Sequence, residues 1–405
     1  MTIWKRLGAV ALVLGLATGG AAAADPDPKN WDAVLAEAKG ETVYWHAWAG
    51  ESRINDYIAW VGAEVEKRFG VKLVHAKVSD TAEVVARVLA EKPAGKTEGG
   101  SVYLVWINGE NFAAMKREGL LAAAPWSDAL PNYALVDTAG KPTTTSDFTV
   151  LVDGLEAPWG MAQLVFYHDT ARTPDVPKSA ASLIDWAASH PGRFTYPQPP
   201  DFTGSTFLKQ MLYELVPDRA VLEKPAEETD FDAATAPLFA YLDKLHPLMW
   251  REGRAFPENA SALRTLLADG EVEIAFSFHQ TEASTAIGKG ELPDTVRSYV
   301  MDIGTIGNTH FVAMPFNANA KAGAMVVANF LMSPDAQIEK QKPEVWGDFT
   351  VLDVARLAAE DRARLDAIDL GIATLSPAEL GKVLPEPHPS WMVRLEEAWK
   401  KRYGA

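Results

Sequence analysis

The sequence predicts an α/β protein of two lobes, and three observations carry that reading. Strand and helix patterns alternate from Thr42 to Ile107; a Pro158-Trp159-Gly160 step then precedes a strand-like run, Leu164 to His168; and a second alternation starts at Pro257. Leu155 to Asp169 is read as a crossover between lobes, with the active surface in the cleft beside it. Pro158 lacks a backbone donor and Gly160 permits unusual dihedrals, so no single buried strand is expected to run straight through. The alternative is an ordinary surface turn.

In chain order, Lys5 and Arg6 before the apolar run Leu7 to Thr18, then the small residues Gly19 to Ala24, read as a secretory signal peptide cleaved near Ala24. Asn30 to Lys39 predicts a short helix and Thr42 to Ala47 a strand. Ile54, Tyr57, Ile58, Val61, Val65 and Phe69 recur at helical spacing, with Gly70 as the stop. Val71 to Val78 and Ser101 to Ile107 predict two further strands, separated by a helix that Ser79, Asp80 and Glu83 cap. Such alternation makes a mainly parallel sheet flanked by helices, with ligands beyond the carboxyl ends of the strands. That puts the turns Trp48 to Ser52 and Asn108 to Asn111 on one edge.

Ala122 to Thr149 lacks periodicity and reads as loop. Beyond the crossover, helices are expected at Ala181 to Ser189 and through Phe207, Leu208, Met211, Leu212 and Leu215, with a short strand at Arg193 to Tyr196. The first turn of the second helix, Thr203 to Thr206, offers backbone donors and hydroxyls. Pro257 to Gly270 predicts a helix, Glu271 to Phe278 a strand, and His279 to Glu282 a further helix start. Thr309 to Pro315 reads as a strand, Ala322 to Leu331 as a helix, and Ser333-Pro334-Asp335 as the cap of the next. Trp391, Leu395, Ala398 and Trp399 share one helical face.

The 405 residues are 48% hydrophobic and 23% charged, an ordinary globular balance. The net charge of -16, near -18 once Lys5 and Arg6 leave with the signal peptide, argues against nucleic acid and anionic membrane as partners. The absence of cysteine removes disulfides, thiolate metal sites and cysteine nucleophiles. No phosphate-loop, dinucleotide, zinc-helix or nucleophile-elbow motif occurs, and the eight histidines form no i, i+4 pair. No enzyme activity, metal or cofactor is therefore predicted. Glu271 and Glu273 read as a solvated strand edge. Of thirteen tryptophans most belong to a core; Trp48 and Trp159, in Gly-containing turns, are read as cleft aromatics. Ser205 and Thr206 either cap their helix or hold a ligand, since both roles use the same donors.

The exported α/β lobe, the Trp159 crossover into LVFYH, the segment LRTLLADGEVEIAFSF and the return through HFVAMPFNANAKAGAMVVANFLMSPDAQ resemble the extracytoplasmic solute-binding proteins of bacterial ABC importers, and among them the YnjB type, often grouped with thiamine-binding proteins. The resemblance implies the periplasmic-binding-protein fold, each lobe a mainly parallel sheet flanked by helices, with a cleft between lobes. It implies lobe 1 at residues 25–155 and 308–340 and lobe 2 at 156–307 and 341–405, after a signal peptide at 1–24. By position it implies ligand contacts at Trp48, Gly50, Glu51, Asn108, Glu110, Asn111, Trp159, Thr203, Ser205, Phe278, His279 and Gln280. No Tyr-Tyr pair occurs, which argues against iron. The expected partners are a small organic solute, first a thiamine-like or quaternary cation, and an ABC permease with its ATPase, with the protein a periplasmic monomer. The rivals are a secreted hydrolase using Glu51, Glu110 or His279 and a sensory binding protein.

Overall fold

The computed structural model describes residues 25–404, so the signal-peptide reading of residues 1–24 lies outside the described residues. Trp31–Ala38 (α1) is capped by Asn30 and leads to Thr42–Trp48 (β1). Ser52–Phe69 (α2) buries Ile54, Tyr57, Ile58, Val61 and Val65 along one stripe and stops at Gly70, whose φ of 70° suits glycine. Lys72–Val78 (β2), Thr81–Glu91 (α3, capped by Asp80), Leu104–Ile107 (β3) and Glu110–Arg117 (α4) complete the first alternation. The stretch expected to be loop contains a small hairpin, Ser146–Asp147 (β4) and Val150–Leu151 (β5), turned by Phe148 and Thr149 at φ of 43° and 71°.

Next come Glu156–Gln163 (β6), Val165–Asp169 (β7), Ala180–Ser189 (α5), Phe202–Leu215 (α6), Phe231–Leu245 (α7), Ala260–Ala268 (α8), Ile274–Ser277 (β8), Glu282–Gly288 (α9) and Val296–Tyr299 (β9). Thr305–Ala313 (β10), Lys321–Leu331 (α10), Pro334–Gln341 (α11), Ala359–Asp366 (α12), Pro377–Leu380 (α13), Val383–Leu384 (β11) and Pro389–Tyr403 (α14) follow. Ser333 caps α11 as its sequence implies, its side chain accepting from Ala336 N. Among the described residues no helix is long and apolar enough to cross a membrane.

The larger sheet runs β11-β10-β3-β1-β2, with β6 along the other side of β10. β1 pairs β2 and β3 in parallel, whereas β10 is antiparallel to both β3 and β6. The second sheet, β8-β7-β9, is antiparallel at both pairings, which corrects the expected parallel sheet of lobe 2. Only Leu164 separates β6 from β7, so β7 enters the lobe directly from the crossover. It then lies between β8 and β9, the two strands that α9 connects. The strand expected at Arg193 to Tyr196 joins no ladder; Arg193 O and Phe194 O instead accept single bonds from Glu273 N and Trp250 N.

The crossover also differs from expectation, since β6 passes straight through Pro158-Trp159-Gly160. Its one ladder is with β10, the other side carrying a single bridge from Met161 to Phe349, so proline is tolerated, and the ladder slips: His310 faces Gly160 and Phe311 faces Pro158, leaving Trp159 as the bulged residue. Gly160 is required by proximity, because a Cβ there would lie 2.1 Å from Asp348 Oδ2.

Three apolar clusters define the lobes. One contains Trp45, Tyr57, Trp159 and Phe330, a second covers the other face of the same sheet with Val88, Phe112 and Phe311, and the third, with Phe166, Phe207, Leu242 and Trp391, is the core of lobe 2. β6 and β10 both pass from one core to the other: Ala157 and Val312 pack in lobe 1, Ala162 and Ile306 in lobe 2. Trp346, Val351, Leu357 and Leu365 pack in lobe 1, and only from Ala373 does the chain join lobe 2. That corrects the assignment of all of 341–405 to lobe 2. The chain crosses a third time between Leu365 and Ala373.

Candidate functional site

The lobes meet on two sides of these crossings. On the first, the turn after β1 faces the start of α9. Arg53 Nε donates to Glu51 Oε1 at 2.5 Å, and its Nη2 reaches across to Glu282 Oε2 at 3.1 Å. Glu282 also pairs with Arg264, and His279 Nε2 lies 4.0 Å from Glu51 Oε2. Burial pushes the Glu282 carboxyl up, but Arg53, Arg264 and His279 together hold it below the usual carboxylate range. Burial holds the His279 imidazole down, against the pull of Glu51 and Glu282. Carboxylates on this side have guanidinium partners, so the network acts as an interlobe latch.

On the second side, α4 of lobe 1 packs against α14 of lobe 2. Phe202, Ser205 and Lys209 recur at helical spacing along α6. Lys209 is 1% exposed; its Nζ donates to Glu386 Oε2 at 2.6 Å and lies 4.8 and 4.9 Å from the centroids of Phe148, from lobe 1, and Phe202. Ser205 Oγ donates to Glu396 Oε1 at 2.6 Å. Burial raises Glu396 to about 7, against the Ser205 bond, and Glu110 and Asp80 raise it further while Lys209 pulls it down. Glu110 and Glu386 are likewise raised by burial, against Lys209. Here carboxyl groups outnumber cationic side chains.

The hairpin that delivers Phe148 is held by the predicted Asn108 to Asn111 turn. Gly109 N donates to Asp147 Oδ2 at 2.6 Å; Gly109 has φ 60°, and a Cβ on it would lie 2.9 Å from the Phe148 ring.

Of the residues expected at the site, Glu51 and His279 meet across the first side, while Glu110 and Ser205 come together on the second through α14. Asn111 donates to Glu110 Oε1 at 2.7 Å, and Asn108 is half-buried in the turn before it. Trp48 is 36% exposed with its ring over Gly50. Phe278 packs edge-on against Phe202 at 5.2 Å, and Gln280 Nε2 donates to Met161 O of β6 at 3.3 Å. Trp159 lies elsewhere: fully buried, it packs against Trp45, Trp106 and Trp346 in lobe 1. The donors expected free at the start of α6 are taken, since Thr203 N and Gly204 N donate to Asp201 Oδ1 at 3.0 and 3.1 Å.

The sequence reading missed Arg53, Asp147, Phe148, Phe202, Lys209, Glu282, Glu386 and Glu396. Lys209 was accessible to it, four residues after Ser205 and so on the same helical face. Glu386 and Glu396 carry no local signal, because only the third crossing brings them to the cleft.

Two α/β lobes joined by three chain crossings, with charged groups of both lobes facing each other, define the class of two-lobed solute-binding proteins. Residues 60–363 match the family of bacterial extracellular solute-binding proteins, and the chain belongs to it. It is 43% identical to protein YnjB of Escherichia coli strain K12 over 375 residues, 93% of this chain and 94% of that one. The fold is similar to that of the periplasmic binding protein AfuA of Actinobacillus pleuropneumoniae, solved with fructose-6-phosphate bound (TM-score 0.61, 15% identity, 90% of this chain and 98% of that one). It is also similar to the Tp0655 (TpPotD) lipoprotein of Treponema pallidum (TM-score 0.62, 12% identity, 89% and 98%).

Proposed function

We propose that this chain is the periplasmic solute-capturing component of an ABC importer, and that its solute is a small organic cation held between α4, α6 and α14. One observation carries the sign of the charge: Glu110 from lobe 1 and Glu386 and Glu396 from lobe 2 surround a single ammonium, Lys209, between two phenyl rings. Closing the lobes brings Glu110 toward Glu396, which like charge opposes and a cation between them favours. The phenyl faces suit a cation as well. Capture of an anion by the start of α6 is disfavoured, because Asp201 already caps it. Fold alone leaves the sign open, as the sugar phosphate held by AfuA illustrates. The family supports delivery to a permease; an ATPase behind that permease and the lack of any chemical step by this chain are part of the same proposal.

The test is mass spectrometry of small molecules released from the purified protein, followed by thermal-shift titration with each compound found and with organic cations such as thiamine, choline and putrescine. A solute returned intact that raises the unfolding temperature supports the reading. Consumption of the solute would establish the hydrolase rival, and stabilisation by anions alone would reverse the sign.

A further inference from the structure

Where β10 leaves lobe 2, a cavity of about 20 Å³ lies between the β4–β5 hairpin of lobe 1 and Pro385-Glu386 of lobe 2. That volume holds one water-sized group. Its wall includes Asp147, Phe148, Asn308 and Glu386, with Thr143 and Thr309, whose hydroxyls bond each other at 2.9 Å. Asp147 and Asn308 are 1% and 3% exposed, and Oδ1 of each has no hydrogen-bond partner among the described residues. The Asn308 amide is oriented by its neighbour: Nδ2 donates to Glu386 Oε1 at 3.2 Å, so a flipped amide would set oxygen against carboxylate. Glu386 Oε2 is taken by Lys209.

Leaving a buried acceptor unsatisfied costs about 1–3 kcal/mol, and more when it is charged. Lys209 bonds one of the two wall carboxyls, Glu386, whereas the other, Asp147, accepts from Gly109 N and is bonded by no ammonium or guanidinium among the described residues. Burial and the charges of Glu110 and Glu386 push the Asp147 carboxyl up, against the Gly109 N–H bond; the buried Glu156, raised in turn by burial and by Asp147, supplies no cation. These causes keep a proton on the Asp147 carboxyl when only water fills the volume, and a cation there would take that proton's place.

We infer that the cavity is a binding site for one ammonium-sized monovalent cation, held by the Asp147 and Asn308 oxygens against the Phe148 ring. Asp147 and Phe148 belong to lobe 1 and Glu386 to lobe 2, so an ion here ties the lobes together beside the hinge. The ammonium nitrogen is supplied either as a free ion or as the primary-amine end of a solute. The site stands on the cavity alone and is independent of which solute fills the wider interface.

The experiment compares unfolding temperatures of the mature chain in ammonium, methylammonium, potassium and choline chlorides at matched ionic strength. Ammonium or methylammonium is expected to raise the midpoint above that in choline, which is too large to enter. Asp147→Asn keeps an acceptor for Gly109 N–H, and Asn308→Ala provides a second variant; each is expected to bind ammonium about tenfold or more weakly. Stabilisation by ammonium itself assigns the site to a free ion, and stabilisation by methylammonium alone assigns it to an amine terminus. Equal midpoints in ammonium and choline, or an ammonium shift undiminished in Asp147→Asn, would overturn the inference. A protein that binds an organic cation through Glu110 and Glu396 yet ignores ammonium keeps the proposed function and loses this site. The reverse result keeps the site and loses the function.

Discussion

Lys340 and Lys209 are both buried, and their surroundings differ in a way that separates structure from binding. Lys340 donates to Asp348 Oδ2 at 2.6 Å, Asp348 O at 3.1 Å and Phe349 O at 2.8 Å, while Asp348 Oδ1 meets His310 Nε2 at 3.1 Å. Burial pushes the Asp348 carboxyl up, but Lys340 and His310 outweigh it and hold it below the usual range. Each charge there has its opposite, and the cluster fixes β6 and β10 where they cross. Lys209 has one close carboxylate, a methionine sulfur at 3.8 Å and two phenyl rings, amid carboxyls that burial has raised. A compensated cluster specifies geometry; an uncompensated one between two lobes is a place for a ligand to complete.

The most severe break is Asp348→Ala, which leaves the Lys340 ammonium unpaired in lobe 1. A loss of about 3–5 kcal/mol is expected in urea unfolding at neutral pH. Lys209→Met should cost less at pH 6, because the Glu386 carboxyl, already raised by burial, can take a proton. Equal losses from the two variants would erase the distinction.

Affinity is the next measure, read by isothermal titration of the solute released from the native protein. Glu110→Gln and Glu396→Gln are each expected to weaken an organic cation by about 1–3 kcal/mol, and Lys209→Met to strengthen it. Weaker binding by the Lys209 variant would mean that the solute is an anion.

A smaller effect follows from Glu396, which faces Ser205 and Lys209 on α6, Glu110 on α4 and Asp80 before α3. Its carboxyl sits at about 7 in the folded protein and about 4.3 in an unfolded chain. The folded state therefore holds this proton more tightly. The group's contribution to stability is fully present below about pH 4.3 and is lost as pH rises through about 7. The unfolding midpoint of the ligand-free protein should fall over that window, with a smaller fall in Glu396→Gln, while cation affinity rises as the proton leaves. A wild-type curve no steeper than that of the variant would remove Glu396 from the site.

Sequence legibility followed the range of the interactions. The strands and helices of the first alternation were readable because apolar spacing and caps such as Asp80 and Ser333 act within a few residues. The β7 pairing was not, since β6 running on through Leu164 puts β7 between strands more than a hundred residues away. Pro158 and Gly160 marked the crossover correctly but for a different reason, a bulge and the close approach of Asp348 rather than a break. The candidate site was half legible. Strand-end turns pointed to Glu51 and Glu110, whereas Asp147, Glu386 and Glu396 enter through a hairpin hidden in a loop-like stretch and through the third crossing.

Glu51 and Glu110 looked equivalent in sequence, each beginning a helix just after a strand, and the fold separates them by their neighbours. Glu51 faces the Arg53 guanidinium and is partly exposed, while Glu110 is held among other carboxyls, with Lys209 as the cation that offsets them. A partly exposed ion pair contributes about 0.2–1 kcal/mol, and Arg53 keeps Glu282 when Glu51 is neutralised. Glu51→Gln should therefore change cation affinity by less than about fivefold, mainly through faster dissociation as the latch loosens. A loss as large as that of Glu110→Gln would move the solute to the latch side, beside His279 and Trp48.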